Sequence, residues 1–332
     1  MADMKLNKNN TFSANFHKQF QEKPYLYRKA IINLKQYTSM FAKETYEKRR
    51  AALKKSVGSG LLLFFGNEEC GMNYEDNTYH FRQDSTFLYF FGLNYAGLAA
   101  IIDIDEDKEI IFGNELTIDD IVWMGTQPTL REKAQLVGIH ETRPAAELKK
   151  YIEQAVAKKQ TVHYLPVYRA EHKVKLFDLL GIRPGTEQPS VPFIRGVVDL
   201  RNYKTAEEIV ELQRACEVTA DMHLCAMKVA QVGMKEYEVA AALEAVAQAA
   251  GCFVSFPTIA TVNGQTLHNH YHGNTIKEGD MVLIDAGAET AMGYCGDMSS
   301  TVCAGKKFTS RQREILDLQV ASHMAAVNAL KP

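Results

Sequence analysis

Two aspartates carry the clearest chemical signal in this 332-residue chain. Asp285 closes the apolar run Met281-Val282-Leu283-Ile284, and Asp297 follows Gly296 and opens Met298-Ser299-Ser300-Thr301-Val302. Both are flanked by β-type sequence, so each carboxylate is predicted to stand on stiff backbone. The glycine-marked stretch from Gly287 to Gly293 suits a chain that doubles back between them. Neighbouring strands would bring the carboxylates close together, and like charges at short range are costly unless one is protonated or a cation lies between them. Hard oxygen donors suit Mn²⁺, Mg²⁺ or a two-metal hydrolytic site. The plainer reading makes Asp297 a turn residue and Asp285 a strand-end cap. His268, His270 and His272 form a second cluster. On a strand the three would share one face and could ligate a metal; in a turn between Gly264 and Gly273 they would diverge. A single histidine beside a site more often orients or hydrogen-bonds a substrate. Cys295 and Cys303 flank Asp297 without zinc-ribbon spacing, and no base accompanies them to make a nucleophile.

The elements around these residues read as two segments. Glycine-bounded apolar runs at Leu61–Phe65, Phe87–Phe91, Leu98–Asp103 and Glu109–Phe112 are predicted as buried strands, interleaved with helices up to Ile182. The lone Trp123 and the Phe87–Phe91 run are expected in the core. A Pro/Gly-marked stretch from Arg183 to Pro192 suggests domains at 1–196 and 197–332. In the second, Thr205 with Glu208 forms a capping box that opens a long helix to about Ala230, with Ile209, Leu212, Cys216 and Thr219 on one face. A helix from Glu236, strands at Phe253–Thr261, Met281–Asp285 and Gly296–Val302, and a last helix capped by Thr309 and Gln312 complete the pattern.

Composition excludes several classes. At roughly 150 residues per domain the length suits two domains, and 46% apolar with 23% charged residues is ordinary for globular chains. Thirty-eight basic against forty acidic residues leave a net charge of −2, which argues against a protein that coats nucleic acid or acidic lipid. Six scattered cysteines are too few for a disulfide scaffold, the first ten residues lack an apolar core, and no apolar run approaches the ~20 residues of a membrane span. The expectation is a cytoplasmic protein that binds neither nucleic acid nor membrane. One asymmetry stands out: residues 1–60 hold thirteen basic and four acidic residues, a surplus of nine, so a basic helical lead-in is expected at 1–55. Its charges are scattered among apolar positions, which favours solvated helix faces over a nucleic-acid arm.

The segment Glu278-Gly279-Asp280-Met281-Val282-Leu283-Ile284-Asp285-Ala286-Gly287-Ala288-Glu289, followed by Gly293-Tyr294, Gly296-Asp297 and Gln312-Arg313-Glu314-Ile315, resembles the aminopeptidase P (Xaa-Pro aminopeptidase) family. Tyr203–Ile209 is similar to that family's first catalytic-domain helix, and Phe81–Gly92 to the signature of its N-terminal domain. The resemblance covers about residues 45–330 in order. It implies an α/β N-terminal domain, ribonuclease H-like and creatinase-type, followed by an α+β pita-bread catalytic domain. The implied activity is release of an N-terminal residue that precedes proline, with two divalent metal ions, usually Mn²⁺. By position Asp285 would bind one metal and Asp297 bridge the two, a bridging hydroxide would attack the scissile carbonyl, and His268 would stand beside the substrate. His270 and His272 have no counterpart. The resemblance also implies a homo-oligomer built through the N-terminal domain.

Two departures shape the expectation. The interval from Asp285 to Asp297 is one residue longer than the family pattern, which a bulge between Thr290 and Gly293 would absorb. The family's remaining ligands, one His and two Glu, belong to a C-terminal portion beyond the helix that ends near Pro332. The catalytic domain is therefore expected to be incomplete, the chain a fragment or a product completed elsewhere, and the 332 residues catalytically dead by themselves. The competing readings are a prolidase, and a non-catalytic pita-bread protein that binds a partner.

Overall fold

The computed structural model describes residues 40–305 and 307–331. Most of the predicted basic lead-in lies outside those residues. Two compact units meet in sequence between Ile209 and Val210.

The first unit opens with α1 (Lys43–Val57) and β1 (Leu61–Phe65), then α2 (Ser85–Phe91), β2 (Ala99–Asp103), β3 (Lys108–Phe112), α3 (Ile118–Met124) and α4 (Leu130–Gln135). It continues through β4 (Glu141–Arg143), α5 (Glu147–Ala157), β5 (Val162–Tyr164), α6 (Ala170–Leu180) and α7 (Val191–Asn202). Its five strands are ordered β4-β3-β2-β1-β5, with β2 antiparallel to its neighbours and the outer pairs parallel. Alternation along the strands builds two cores. Leu62, Phe64, Ala100, Ile102 and Ile111 face α1, α2 and α7, where Phe87, Phe91, Phe193 and Val197 fill the layer. Leu61, Leu63, Ile101, Ile110 and Phe112 face α5 and α6 through Leu148, Ile152 and Leu176.

Several expectations change here. The Phe87–Phe91 run is buried as expected, but as a helix: Asp84 Oδ1 accepts from Thr86 N (2.8 Å) and Phe87 N (2.9 Å), and Gly92 ends the turn in the left-handed region. Five apolar residues in a row do not distinguish a buried strand from a buried helical turn. Trp123 is not in the core. It is 87% exposed on α3, a short helix held by the Thr117–Asp120 capping box, in which no side chain is buried. The first compact unit extends to Ile209, and its α7 contributes Phe193 and Val197 to the core shared with α1.

In the basic run Lys48-Arg49-Arg50 only Lys48 is solvated. Arg50 is fully buried; it donates to Glu109 Oε2 (2.7 Å), Phe90 O (3.0 Å) and Val137 O (2.8 Å). Arg49 donates to Tyr89 O, and its guanidinium lies 3.9 Å from the Tyr89 ring centroid.

The second unit is built from α8 (Ala206–Val229, whose first turn belongs to the first unit), α9 (Glu236–Ala249), β6 (Phe253–Val254), β7 (Ile259–Thr261), β8 (Met281–Ala286), β9 (Ala288–Glu289), β10 (Met298–Cys303) and α10 (Ser310–Ala329). Both predicted capping boxes form, Thr205 with Glu208 and Thr309 with Gln312. Strands β10, β8 and β7 make an antiparallel sheet, and β6 pairs with β9. Val282, Ile284 and Ala286 enter a core with Met222 and Ala226 of α8 and Val239 and Leu243 of α9. Of the predicted stripe Thr219 is buried and Leu212 half-buried, but Ile209 and Cys216 are exposed; the buried residues of α8 include Glu211, Ala215, Thr219, Met222, His223 and Ala226. No side chain of α10 is buried. Among the described residues no helix is long and apolar enough to cross a membrane.

Replacing Arg50 with Met should strand the Phe90 and Val137 carbonyls and leave Glu109 to Lys54 alone. The expected loss is about 3–5 kcal/mol in urea unfolding. A loss under about 1 kcal/mol would show that the buried guanidinium is not a tie point.

Candidate functional site

The carboxylates stand on one antiparallel ladder. Met298 pairs with Ala286 and Ser299 with Asp285, and Glu289 bridges Cys295 further along. The same register holds on both sides of Gly287, Gly296 and Asp297, which lie outside the paired strands, so Asp297 falls opposite Gly287. Asp285 and Asp297 are therefore diagonal neighbours on the same face, the spacing at which side chains of a sheet still interact. That face is the one turned away from α8 and α9: Val282, Ile284 and Ala286 point into the helices, while Asp285 is half-buried and Asp297 exposed. The extra residue between them causes no bulge in the paired region. Thr290 N donates to Tyr294 O (2.9 Å), and the three residues Ala291, Met292 and Gly293 close the hairpin, with Gly293 at φ 79°.

The ladder is seated by its lack of side chains. A Cβ on Gly287 would run into the Gly296 carbonyl, and one on Gly296 would lie 2.7 Å from Ala215 O. Thr219 Oγ1 donates to Ala215 O (2.7 Å) and accepts from Ala288 N (2.9 Å). Ser255 Oγ donates to Gly296 O (2.8 Å). On the open face Ser299 Oγ donates to Asp285 Oδ1 (3.0 Å). On the helix side, buried His223 reaches Ser300 Oγ through Nδ1 (2.7 Å) and the Ala286 carbonyl through Nε2 (3.2 Å), spanning both strands behind the carboxylates.

The histidines do not lie on a strand. His268 and His270 are exposed on the loop after β7, whereas His272 turns back to the Thr258 carbonyl (3.0 Å). They diverge, as the turn alternative required. The loop nevertheless approaches the carboxylate face, because a Cβ on Gly264 would meet the Leu283 side chain at 3.0 Å. Leu283 shares its strand face with Asp285. Burial pushes the Cys225 and Cys252 thiols up, which makes both poor nucleophiles. Among the described residues, no three His, Cys, Asp or Glu side chains cluster as a metal site. Two supporting residues escaped the sequence reading. His223 looks like one more polar residue of a long helix, and Glu236 like an ordinary first-turn acid.

Residues 46–164 match the aminopeptidase P N-terminal domain, and residues 210–332 match metallopeptidase family M24. The chain belongs to the aminopeptidase P family of metallopeptidases. Among its relatives is the Xaa-Pro aminopeptidase of Escherichia coli, 28% identical over 309 residues, which cover 89% of this chain and 69% of that protein. The Xaa-Pro dipeptidase of Homo sapiens is 27% identical over 297 residues, 82% of this chain and 56% of the relative. Among solved structures, proline aminopeptidase P II of Yersinia pestis superposes with a TM-score of 0.77 at 25% identity, over 88% of this chain and 70% of that one. Zinc-substituted E. coli aminopeptidase P in complex with product gives 0.76 at 27% identity, over 88% and 69%. The first unit is thus the family's α/β N-terminal domain and the second its pita-bread fold, of which the chain spans about 70% of the neighbours' whole length.

Gly287→Ala should force the hairpin away from Gly296. A loss of about 2–3 kcal/mol is expected in denaturant unfolding. A stability within about 0.5 kcal/mol of the parent would show that the ladder tolerates a side chain there.

Proposed function

We propose that Asp285 and Asp297 hold a divalent cation, Mn²⁺ first among candidates, for Xaa-Pro aminopeptidase chemistry: release of the residue that precedes proline at a peptide N-terminus. The observation that supports this is their placement on one open sheet face at diagonal rungs of an unbulged ladder, with side-chain-free Gly287 opposite Asp297. Two carboxylates fit a hard cation by donor type, and Mn²⁺ and Mg²⁺ accept such oxygen sets with water completing the shell. A bound cation supplies positive charge that acidifies water and polarises a carbonyl oxygen. The chain's own residues do the rest. Ser299 fixes the orientation of the Asp285 carboxylate through its hydroxyl. His268, on a loop packed against Leu283, would donate a hydrogen bond from a ring nitrogen to the oxygen that gains charge as the peptide bond is attacked.

The family uses a two-ion centre, and two carboxylates are a small donor set for two ions. We therefore read the 332 residues as inactive by themselves. The 27% identity to a human Xaa-Pro dipeptidase supports a second reading within the same chemistry, in which the substrate is a dipeptide. A homo-oligomer belongs to the proposal as well, supported by the exposed apolar side chains Ile118, Val122, Trp123 and Met124 on α3. A cytoplasmic setting completes it.

Titration with Mn²⁺, followed by electron paramagnetic resonance, should show binding that either Asp285→Asn or Asp297→Asn weakens about 100-fold or more, beyond what loss of an outer hydrogen bond costs a metal site. Affinity unchanged from the parent in both variants would sink the site. Incubation with Mn²⁺ and a tripeptide with proline second should release no free N-terminal residue. Turnover that Asp285→Asn abolishes would overturn the inactive reading and keep the site. Trp123→Ser should shift sedimentation from oligomer to monomer, and an unchanged distribution would remove α3 from the interface.

A further inference from the structure

The loop that carries His268 leaves the sheet and returns to it at a single buried carboxylate. Glu236, in the first turn of α9, is 0% exposed. Its Oε1 accepts from Thr261 Oγ1 (3.1 Å) and Val262 N (2.8 Å), at the point where the loop departs. Its Oε2 accepts from Asn274 N (3.0 Å), where the loop comes back, and Asn274 Nδ2 lies 3.0 Å and 3.1 Å from the two oxygens. Every one of these partners is a donor, so only an acceptor-only side chain serves all of them.

The order of donors and acceptors extends towards His268. Because Thr261 gives its hydroxyl proton to Glu236, its oxygen is left to accept. It accepts from Asn263 N (3.0 Å) and from Asn269 Nδ2 (3.2 Å). With its amide nitrogen committed there, Asn269 turns its Oδ1 to Tyr271 N (3.0 Å). Asn269 is bonded directly to His268. The backbone of α9 adds two further ties, from Glu236 N to Asn274 O (3.1 Å) and from Tyr237 N to His272 O (3.0 Å).

We infer that Glu236 is the positioning residue for His268: through Thr261 and Asn269 it sets the path of the 262–274 loop and with it the direction from which the imidazole faces the Asp285–Asp297 surface. The inference rests on the reading of His268 as a substrate-facing group, so its test separates the two. A glutamine at 236 places N–H groups against N–H groups on one side of the cluster, whereas Thr261→Val removes one donor to Glu236 together with the link to Asn263 and Asn269, and leaves the Val262 and Asn274 ties in place. Hydrogen exchange read by mass spectrometry should show amides of 262–274 exchanging about 10–100-fold faster in Glu236→Gln, with β8 and α8 unchanged. Thr261→Val should accelerate only 263–271. In parallel, added Mn²⁺ should broaden the His268 ring resonance in the parent chain, and Glu236→Gln should weaken that broadening without changing Mn²⁺ affinity.

Unchanged exchange in the loop of Glu236→Gln overturns the inference. So does unchanged broadening once the loop is loosened. If Glu236→Gln unfolds the unit, Thr261→Val carries the same two readouts, and no change in them overturns it equally. If Mn²⁺ binds but does not broaden His268 in the parent, the placement of His268 fails and the inference falls with it, even where the exchange data show that Glu236 ties the loop.

Discussion

Close approach between two stretches of glycine and a helix governs the second unit. The Gly296 carbonyl comes up against Gly287, which has no side chain to block it, and α8 presents Ala215 and Thr219 to Gly296, the second of which bonds back to the hairpin. Once the ladder is seated there, its faces are decided. Ala286 goes inward, so Asp285 goes outward, and the pairing then puts Asp297 on the same side. A slip of one residue would carry a carboxylate into the helix layer and bring an apolar side chain out. His223 opposes such a slip from behind, because its two nitrogens address partners on both strands at once, Ala286 O and Ser300 Oγ. Register, more than any single contact, makes two aspartates twelve residues apart in sequence into neighbours.

Sequence and structure agree where the local signal is chemically strong. Thr205 with Glu208 and Thr309 with Gln312 cap their helices as read, because a capping box satisfies backbone donors from side chains three residues away and needs nothing else from the fold. The glycine-bounded run Leu61–Phe65 is a strand, since five residues buried on both faces suit the interior of a sheet covered on each side by helices. Agreement stops where burial depends on distant partners. Phe87–Phe91 is apolar enough for either element, and the decision falls to Asp84, whose carboxylate takes two amides and starts a helix. Trp123 has the composition of a core residue, but α3 lies where no other described element covers it.

Charged residues show the same limit more sharply. Arg49 and Arg50 read as part of a basic surface because their partners, the carbonyls of Tyr89, Phe90 and Val137 and the carboxylates of Glu208 and Glu109, lie far away in sequence and leave no local signature. Glu236 reads as a first-turn acid that favours the helix dipole. Its actual partners, Thr261, Val262 and Asn274, come from segments that only the folded chain brings together. The site followed the same division: the aspartates were legible as a pair, whereas the groups that hold them and their loop in place were not.

Glu236 and Asp285, both in the second unit, are carboxylates in opposite situations, and the contrast bears on function. Burying a charged group is costly unless its hydrogen-bonding capacity is filled. Glu236 meets that demand with donors on both oxygens, so it has little capacity left for anything else, and its role is to join chain segments. Arg50 does the same in the first unit with opposite charge, tying α1 to the end of α2, to β3 and to the segment after α4. Asp285 is different. It sits half-buried on the open face with a hydroxyl from Ser299, and Asp297 is exposed beside it. Two carboxylates held at neighbouring positions by a rigid ladder, with lone pairs to spare, are electrostatically unfavourable to each other until a cation joins them. Glu236 spends its oxygens on joining chain segments, whereas Asp285 and Asp297 face solvent, which is why the proposed cation falls to that pair and not to the buried carboxylate.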